Sequence, residues 1–203
     1  MDQKLVAWAR AVKSRQARAG GIGLPVLWLF TDAERLPDPR PAVARLPKGL
    51  CGVVLRHDRA AGRAALGRDL ARICRQRRLA LAVAGDAALA ARLGAGLHLR
   101  AGRRPRAGPR LWRFLTSSAH GVPDLVRARR AGAVMAFLSP AFPTASHPGV
   151  SPLWPRRWAA IAGRGRLPAL ALGGVDGRRA RTLPRRICAG AAAIGALAWH
   201  GGG

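Results

Sequence analysis

Acidic residues and lysine are scarce in this sequence. Of its 203 residues, 9 are Asp or Glu and 36 are Lys or Arg, which gives a formal net charge of +27 at pH 7. Glu34 is the only glutamate, and lysine supplies 3 of the 36 basic residues. A surface with this charge attracts polyanions whether or not it is built to recognise them.

Motifs that read nucleic acid are also missing. The chain has no zinc-finger spacing, and aromatic residues, which stack on bases in the common RNA-binding sheets, make up 5% of it. The basic residues are spread over nearly every predicted helix and loop, and arginine replaces lysine almost throughout. A composition bias explains this pattern better than a recognition surface does, so we expect no nucleic-acid partner despite the high basic charge.

Cysteines are few, and long hydrophobic segments are absent. Cys51, Cys74 and Cys188 are odd in number, far apart and set in apolar sequence, which indicates neither a disulfide framework nor a metal knuckle. This usage favours a reducing, cytoplasmic setting. No segment approaches the roughly 18 apolar residues of a membrane span, and residues 1–22 lack the continuous apolar core of a signal peptide.

Eight short apolar runs are present instead, each followed by a turn signal and then by a polar or helix-like stretch. They occupy residues 25–32, 51–58, 79–86, 96–102, 111–118, 131–140, 167–175 and 189–197. Runs of this length, buried on both faces, are typical of parallel strands. Amphipathic segments lie between several of them, at residues 62–76, 86–93, 122–130 and 154–162. This alternation predicts an α/β protein with the (β/α)8 TIM-barrel fold.

The spacing also predicts where this barrel is irregular. Residues 100–110 have no apolar periodicity and contain two prolines, so the fourth helix is expected to be missing or reduced to a turn. Only AWHGGG follows the last run, which predicts a reduced eighth helix. Apolar residues at helical spacing predict an N-terminal helix within residues 1–22. We expect one domain over residues 1–203, with the barrel at residues 25–198.

In this fold the reacting groups lie in the loops that follow the C-terminal ends of the strands. The polar side chains and glycines found there are Asp32, Arg56, Asp86, Arg100, Ser118, His120, Ser139 to His147, Gly173, Gly174 and Gly195. His98 lies inside the fourth run, where we expect it to be structural and to point into the barrel.

The strand ends, taken in order, resemble the thiamine-phosphate synthases and their thiazole-tautomerase relatives from about Val26 to Ala198. The motifs that carry the resemblance are LFTD, VVLRHD, AGDAALAARLGAGLHL, SSAH, LSPAFPTASHPG, ALGGV and AGAAAIGAL. The sixth-strand loop is the most specific, since the family has Gly-Pro-x-Phe/Tyr-Pro-Thr-x-Thr-Lys there. The resemblance implies a cytoplasmic transferase that joins an aminopyrimidine methyl diphosphate to a thiazole phosphate and releases diphosphate with the help of Mg²⁺.

Roles for individual residues follow from the resemblance. Arg56 matches the family's diphosphate-binding arginine, and a planar guanidinium at a strand end suits that role. Asp86 matches the carboxylate that holds Mg²⁺, although an Asp before AALAARL serves equally well as a helix N-cap. In the loop after the sixth strand, Thr144, Ser146 and His147 are the implied substrate-binding residues.

The thiazole phosphate is implied to bind at the ends of the last two strands. Gly173 and Gly174 match the family's Gly-Gly, and Gly195 follows the eighth strand, where glycine lets an anion approach backbone N–H groups. Ser118 and His120 match the family's Ser-x-His. In the tautomerase relatives this histidine shuttles a proton, which suits an imidazole. Arg56, Ser118 and His120 are therefore the catalytic candidates, although Ser118 could also serve as a helix N-cap.

Four positions depart from the family pattern. Asp58 stands where the family has Lys, Gly85 where it has Asn and Ala198 where it has Ser. Arginines, Arg100 among them, occupy the segment where a second metal carboxylate belongs. One carboxylate is a poor site for Mg²⁺ unless the diphosphate supplies further oxygens, so either arginines take over part of the metal's role or diphosphate chemistry is lost.

These departures leave two alternatives beside the synthase. One is a metal-independent thiazole tautomerase that uses His120, and the other is a catalytically silent barrel that binds a phosphorylated compound. We expect small phosphorylated pyrimidine and thiazole compounds as the partners, with no membrane. For the silent barrel, a polyanion is the alternative ligand. An oligomer is compatible with the sequence.

Overall fold

Eight parallel strands close into a barrel in which each strand pairs with the next along the chain and β8 pairs with β1. The computed structural model describes residues 1–20, 23–58, 60–103, 112–145 and 149–198. The strands are β1 (Leu27–Phe30), β2 (Cys51–Leu55), β3 (Ala80–Ala84), β4 (Gly96–Leu99), β5 (Leu115–Ala119), β6 (Met135–Leu138), β7 (Ala169–Leu172) and β8 (Cys188–Ala193). Each lies within or beside one of the eight apolar runs, and the predicted (β/α)8 barrel is confirmed.

Helices follow most of the strands. They are α1 (Gln3–Arg18), α2 (Arg40–Ala44), α3 (Arg63–Arg77), α4 (Ala87–Leu93), α5 (Val122–Arg130), α6 (Trp154–Gly165), α7 (Gly177–Ala180) and α8 (Gly195–Ala198). The described residues between β4 and β5, 100–103 and 112–114, contain no helix. The last helix extends over four described residues. None of the described helices is both long and apolar enough to cross a bilayer.

The N-terminal helix covers the outside of the barrel where the short α8 leaves β8 exposed. Helix α1 contacts β8 and α7 through a buried face of Leu5, Val6, Ala9 and Val12. Its N-terminus is fixed by Asp2, whose carboxylate accepts from the backbone N–H of Leu5 at 3.0 Å and from that of Gly177 at 2.6 Å. This first helix therefore completes the outer ring of the barrel.

Aromatic side chains fill the barrel interior although the chain has few of them. The rings of Trp28, Phe30 and Phe137 meet edge to face, with centroids 4.9 to 5.7 Å apart, and Phe114 lies 6.1 Å from Trp28. Gly52 makes room for this cluster, because a Cβ at that position would lie 2.7 Å from the Trp28 ring. Four of the scarce aromatic residues thus pack together in the barrel.

The three cysteines are buried thiols. Cys51, Cys74 and Cys188 are unpaired, and burial raises the thiol pKa to about 12, 12 and 11 respectively. A thiol with so high a pKa is a poor nucleophile and a poor metal ligand. The cysteines therefore act as small apolar residues of the core.

Candidate active site at the C-terminal end of the barrel

Two adjoining cavities open at the C-terminal ends of the strands. One, of about 270 Å³, lies over the barrel axis, and the other, of about 420 Å³, lies beside the ends of β7 and β8. Thr144, Leu172, Gly173 and Ile194 line both cavities, so the two form one continuous depression. Most of the predicted site residues line it.

The central cavity combines an apolar wall with several polar side chains. Its apolar wall includes Phe30, Pro140 and Leu172, and the guanidinium of Arg56 and the imidazole of His120 also line it. The Nδ1 atom of His120 lies 2.9 Å from the carbonyl oxygen of Ser139, which fixes the ring against the loop after β6. A planar heterocycle with a polar substituent fits a cavity of this kind.

Arg56 is held in place at the end of β2. Its backbone N–H donates to Oγ1 of Thr31 at 2.9 Å, and its Nη2 atom lies 2.5 Å from Oδ2 of Asp32. Burial favours the protonated form of Asp32. The backbone N–H of Arg35 and the guanidinium of Arg56 outweigh that effect, so the pKa of Asp32 lies below its ordinary value. Asp32 is therefore a stable negative partner that orients the arginine.

Three predicted glycines line the cavity beside β7 and β8. Gly173 and Gly174 have φ angles of +92° and +62°, and Gly195 begins α8. A Cβ on Gly174 would lie 2.2 Å from the carbonyl oxygen of Pro143, so the loop after β6 packs directly on this turn. Gly173 and Gly174 thus have a packing reason in addition to the phosphate-binding role that their motif predicts.

Two arginines that we did not predict also line this cavity. Arg179 of α7 donates from Nη1 to the carbonyl oxygen of Gly174 at 2.9 Å and lies over the Phe142 ring, 5.9 Å from its centroid. Arg35 reaches the same cavity from the loop after β1. Neither belongs to a motif that carries the family resemblance. In a chain with 33 arginines, their position near the glycines is visible only in three dimensions.

Asp86 lies outside both cavities and has two partners. Its Oδ1 atom accepts from the backbone N–H of Leu89 at 2.8 Å, which makes it the N-cap of α4, and its Oδ2 atom lies 3.4 Å from Nη1 of Arg63. The same guanidinium contacts Asp58 at 3.6 Å. The N-cap alternative for Asp86 is therefore realised.

This arrangement does not fit a bound Mg²⁺. The ion takes several oxygen ligands in a near-octahedral set, usually with more than one carboxylate. Here both oxygens of Asp86 are engaged by protein donors, and Arg63 lies between Asp86 and Asp58. Within the described ranges, no group of three or more Asp, Glu, His or Cys residues is placed to hold a metal ion.

Ser118 and His98 have structural partners. Ser118 belongs to β5, and its hydroxyl accepts from the backbone N–H of Ala101 at 3.0 Å, so it is neither a helix N-cap nor part of either cavity wall. His98 is buried in the barrel with Nδ1 3.0 Å from Oγ1 of Thr116, as expected for a structural histidine. Burial, reinforced by the charges of Arg100 and Arg56, lowers its pKa to about 3.

The remaining predicted residues lie in the loop after β6. Thr144 lines both cavities, whereas Ser146 and His147 lie outside the described residues. The backbone N–H groups of Ala141 and Phe142 donate to the carbonyl oxygens of Leu172 and Gly173. The first half of this loop therefore extends the pairing of β6 with β7 beyond the strands and carries Thr144 to the junction of the cavities.

A larger cavity, of about 650 Å³, lies at the opposite end of the barrel. It is lined by the last turns of α1 and α3 and by the segments that lead into β1, β3 and β5. In TIM-barrel proteins this end serves stability, and the reacting groups lie at the other end. Size alone therefore does not identify the site.

Two comparisons with known proteins indicate one family. The family model described as thiamine monophosphate synthase matches residues 31–197. A thiamine-phosphate synthase from Chlorobium luteolum is 31% identical to this chain over 182 residues, which cover 85% of each protein. The family model spans the ends of β2, β5, β6, β7 and β8, which contribute to the two cavities, and it begins directly after Phe30 at the end of β1.

Solved structures show the same fold. Thiamine phosphate pyrophosphorylase from Pyrococcus furiosus aligns with a TM-score of 0.67 at 20% identity, covering 83% of this chain and 84% of that one. The protein of that name from Bacteroides thetaiotaomicron aligns with a TM-score of 0.55 at 16% identity, covering 85% and 84%. At these identities the alignments establish the shared barrel.

Proposed function

This chain belongs to the thiamine monophosphate synthase family, and on that premise we propose that it joins an aminopyrimidine methyl diphosphate to a thiazole phosphate and releases diphosphate. Family membership supports a synthase role in thiamine biosynthesis. The observation that carries the specific reaction is the pair of adjoining cavities, with Arg56 at one side and the glycine turn at the other.

The reaction needs charge stabilisation more than proton transfer. The lone pair of the thiazole nitrogen forms a bond to the methylene carbon of the pyrimidine. The bond from that carbon to the diphosphate oxygen breaks, and its electron pair leaves with the diphosphate. The product is a thiazolium cation, so no proton has to move. A fixed guanidinium beside the departing oxygens favours this step because negative charge grows there.

The two substrates would meet where the cavities join. We place the thiazole phosphate against the backbone of Gly173, Gly174 and Gly195, with Arg179 as an additional cation. The apolar wall of the central cavity would hold the pyrimidine ring, and Arg56 would bind its diphosphate. Thr144, at the junction, would contact either phosphate group. Ser146 and His147 keep their proposed substrate-binding roles on the strength of their motif.

An assay with both substrates tests the proposal. Purified protein is incubated with the pyrimidine diphosphate and the thiazole phosphate, and thiamine phosphate is detected by mass. We expect product from the wild type and a loss of about a hundredfold in rate for Arg56→Gln, because a charge that stabilises the leaving group is removed. An Arg72→Gln variant, altered on the exposed side of α3, is the control. Absence of product from the wild type would contradict the proposal.

The thiazole tautomerase remains the second candidate because His120 lines the central cavity. A tautomerase moves a proton on the thiazole ring and needs a base there, whereas the synthase does not. His120→Ala should therefore abolish tautomerisation but only weaken the synthase, and Arg56→Gln should do the reverse. Measuring both activities for both variants separates the two functions.

A further inference from the structure

Arginine–aspartate pairs occupy the ends of β2, β3 and β4. Arg100, after β4, lies 2.5 Å from Oδ2 of Asp58, after β2. Arg63, in the first turn of α3, bridges Asp58 and Asp86. We call these four residues the arginine–aspartate cluster. It borders Arg56 and faces the side of the barrel mouth opposite the glycine turn.

Arg63 acts as the resident cation of this cluster. Its Nη1 atom lies 3.4 Å from Asp86, and its Nη2 atom lies 3.6 Å from Asp58 and donates to the carbonyl oxygen of Ala84 at 2.6 Å. Only 15% of its side chain is exposed. A positive charge is thus already fixed between the two carboxylates that could otherwise have bound a divalent ion.

Arg56 and Arg100 differ from Arg63 in their exposure. Their side chains are 33% and 59% exposed, and each has a terminal nitrogen on one carboxylate. A guanidinium carries five N–H donors in a fork that matches phosphate oxygens. Arg100 pairs with Asp58, two residues after Arg56, so the two exposed guanidinium groups belong to the same side of the barrel mouth.

Gly85 and Asp58 accommodate Arg100. A Cβ on Gly85 would lie 3.3 Å from Nε of Arg100, and the φ angle of Gly85 is +68°, so a larger residue would crowd the arginine. Asp58 supplies the carboxylate that orients its guanidinium. Gly85 and Asp58, which both depart from the family pattern, therefore accommodate Arg100, which also departs from it. These three departures form one coupled change rather than separate losses.

We propose that guanidinium groups take the place of a divalent metal at the diphosphate end of the site. Arg63 and Arg100 together balance the two negative charges of Asp58 and Asp86, and Arg56 and Arg100 bind the diphosphate oxygens with their remaining donors. The carboxylates hold these arginines in position. The high net positive charge of the chain favours binding of the incoming diphosphate in competition with these carboxylates. This inference rests on the proposed synthase function. It makes diphosphate binding independent of Mg²⁺.

Binding of inorganic diphosphate tests the proposal without turnover. Calorimetric titration of the full-length protein in EDTA is compared with the same titration in excess Mg²⁺. We expect binding in EDTA and dissociation constants that agree within about threefold, since the cations are already in place. Binding that appears only with Mg²⁺, or that Mg²⁺ tightens by about tenfold or more, would overturn it.

Two variants test whether the diphosphate binds at the arginine–aspartate cluster. Arg100→Gln should weaken diphosphate binding in EDTA by about tenfold or more, because a charge-assisted pair is lost. Arg72→Gln removes the same charge from an exposed position on α3 and should change it by less than about twofold. If the two substitutions weaken diphosphate binding equally, the anion is bound by general electrostatics and not by the arginine–aspartate cluster, which would contradict the proposal.

Product formation in the same mixtures separates this inference from the synthase function. Thiamine phosphate formed equally in EDTA and in Mg²⁺ supports both the synthase function and the replacement of the metal by arginines. Product formed only with Mg²⁺ supports the synthase function and overturns the replacement of the metal. Diphosphate binding in EDTA without any product overturns the synthase function but still supports a metal-independent diphosphate site. If neither binding nor product is found, both proposals fail.

Discussion

Single residues in this site serve packing and chemistry at once. Gly174 adopts a left-handed conformation that favours glycine, and it also lies against the carbonyl oxygen of Pro143. The two demands can be separated because Gly94, at the C-terminus of α4, has nearly the same φ angle, +59°, and a Cβ there would have no atom within 4 Å. The pair therefore allows a controlled substitution.

Gly174→Ala should destabilise the protein more than Gly94→Ala. Both variants incur the conformational cost of a positive φ, about 1 kcal/mol. Only Gly174→Ala must also displace the loop that carries Thr144. Urea denaturation measures the free energy of unfolding, and the product assay should show a loss of activity for Gly174→Ala alone. Equal losses of stability would show that the close approach to Pro143 is unimportant.

His98 makes stability depend on pH. It stays neutral in the folded barrel, where burial lowers its pKa to about 3, but gains a proton in the unfolded chain below about pH 6.5. The unfolded state binds more protons between these values, so stability falls as the pH is lowered through this range. Its contribution to that loss is about 2 kcal/mol between pH 7 and pH 5.

Urea denaturation at both pH values checks this prediction. A His98→Asn variant, which keeps a polar side chain in the barrel but cannot titrate, should lose less stability on acidification than the wild type. The same loss in both proteins would assign the pH dependence to other groups.

Several residues that the motifs predict lie at the cavities. Arg56, His120, Thr144 and the glycines line the cavities as their positions at strand ends require. Ser118 does not, because its hydroxyl is engaged by the backbone N–H of Ala101 in the loop after β4. Arg179 was missed since it comes from a four-residue helix without periodicity.

At the scale of elements, the fold compensates for its short final helix. The first helix packs where a longer α8 would lie, and Gly177 allows the close approach, because a Cβ there would lie 2.4 Å from Cβ of Lys4. Asp2 ties the two helices together and also donates its backbone N–H to the carbonyl oxygen of Ala196. These contacts lie directly behind the glycine turn.

Asp2→Ala should destabilise the protein by about 1–2 kcal/mol, since it removes an N-cap and a second hydrogen bond. Asp69→Ala, which removes a carboxylate from exposed ion pairs with Arg40 and Arg72, should cost less than about 1 kcal/mol. Thermal and urea unfolding measure both. A smaller effect for Asp2→Ala than for Asp69→Ala would show that α1 is not fixed at this point.

Most of the elements could be predicted because their patterns are long. Eight buried strands and four amphipathic helices leave apolar repeats that a sequence shows directly. The α2 and α7 helices have five and four residues, too few for a periodic pattern, and they form where neighbouring strands leave space. The covering role of α1 was not predicted either, since it depends on which barrel face lacks a helix.

For the whole molecule, charge is the dominant feature. The described ion pairs engage most of the few carboxylates, and a large excess of arginine remains on the surface. Such a surface binds polyanions through general electrostatics, which salt screens. Specific binding at the barrel mouth should depend less on salt, because the phosphate groups also accept hydrogen bonds from fixed donors.

Duplex DNA provides the test of general binding. We expect two DNA duplexes of unrelated sequence to bind with equal affinity at low salt and to lose about tenfold or more in affinity between 50 and 200 mM salt. Fluorescence anisotropy measures both quantities. A strong preference for one sequence, maintained as salt is raised, would show a dedicated nucleic-acid site and contradict the composition bias that we infer.

A crystal structure of the protein with thiamine phosphate bound would test the proposed site without relying on turnover. We expect the phosphate to lie within hydrogen-bonding distance of the backbone at Gly173, Gly174 or Gly195, with the pyrimidine ring toward Arg56. Thiamine phosphate bound instead in the cavity at the opposite end of the barrel, or with its two halves reversed, would contradict the proposed site.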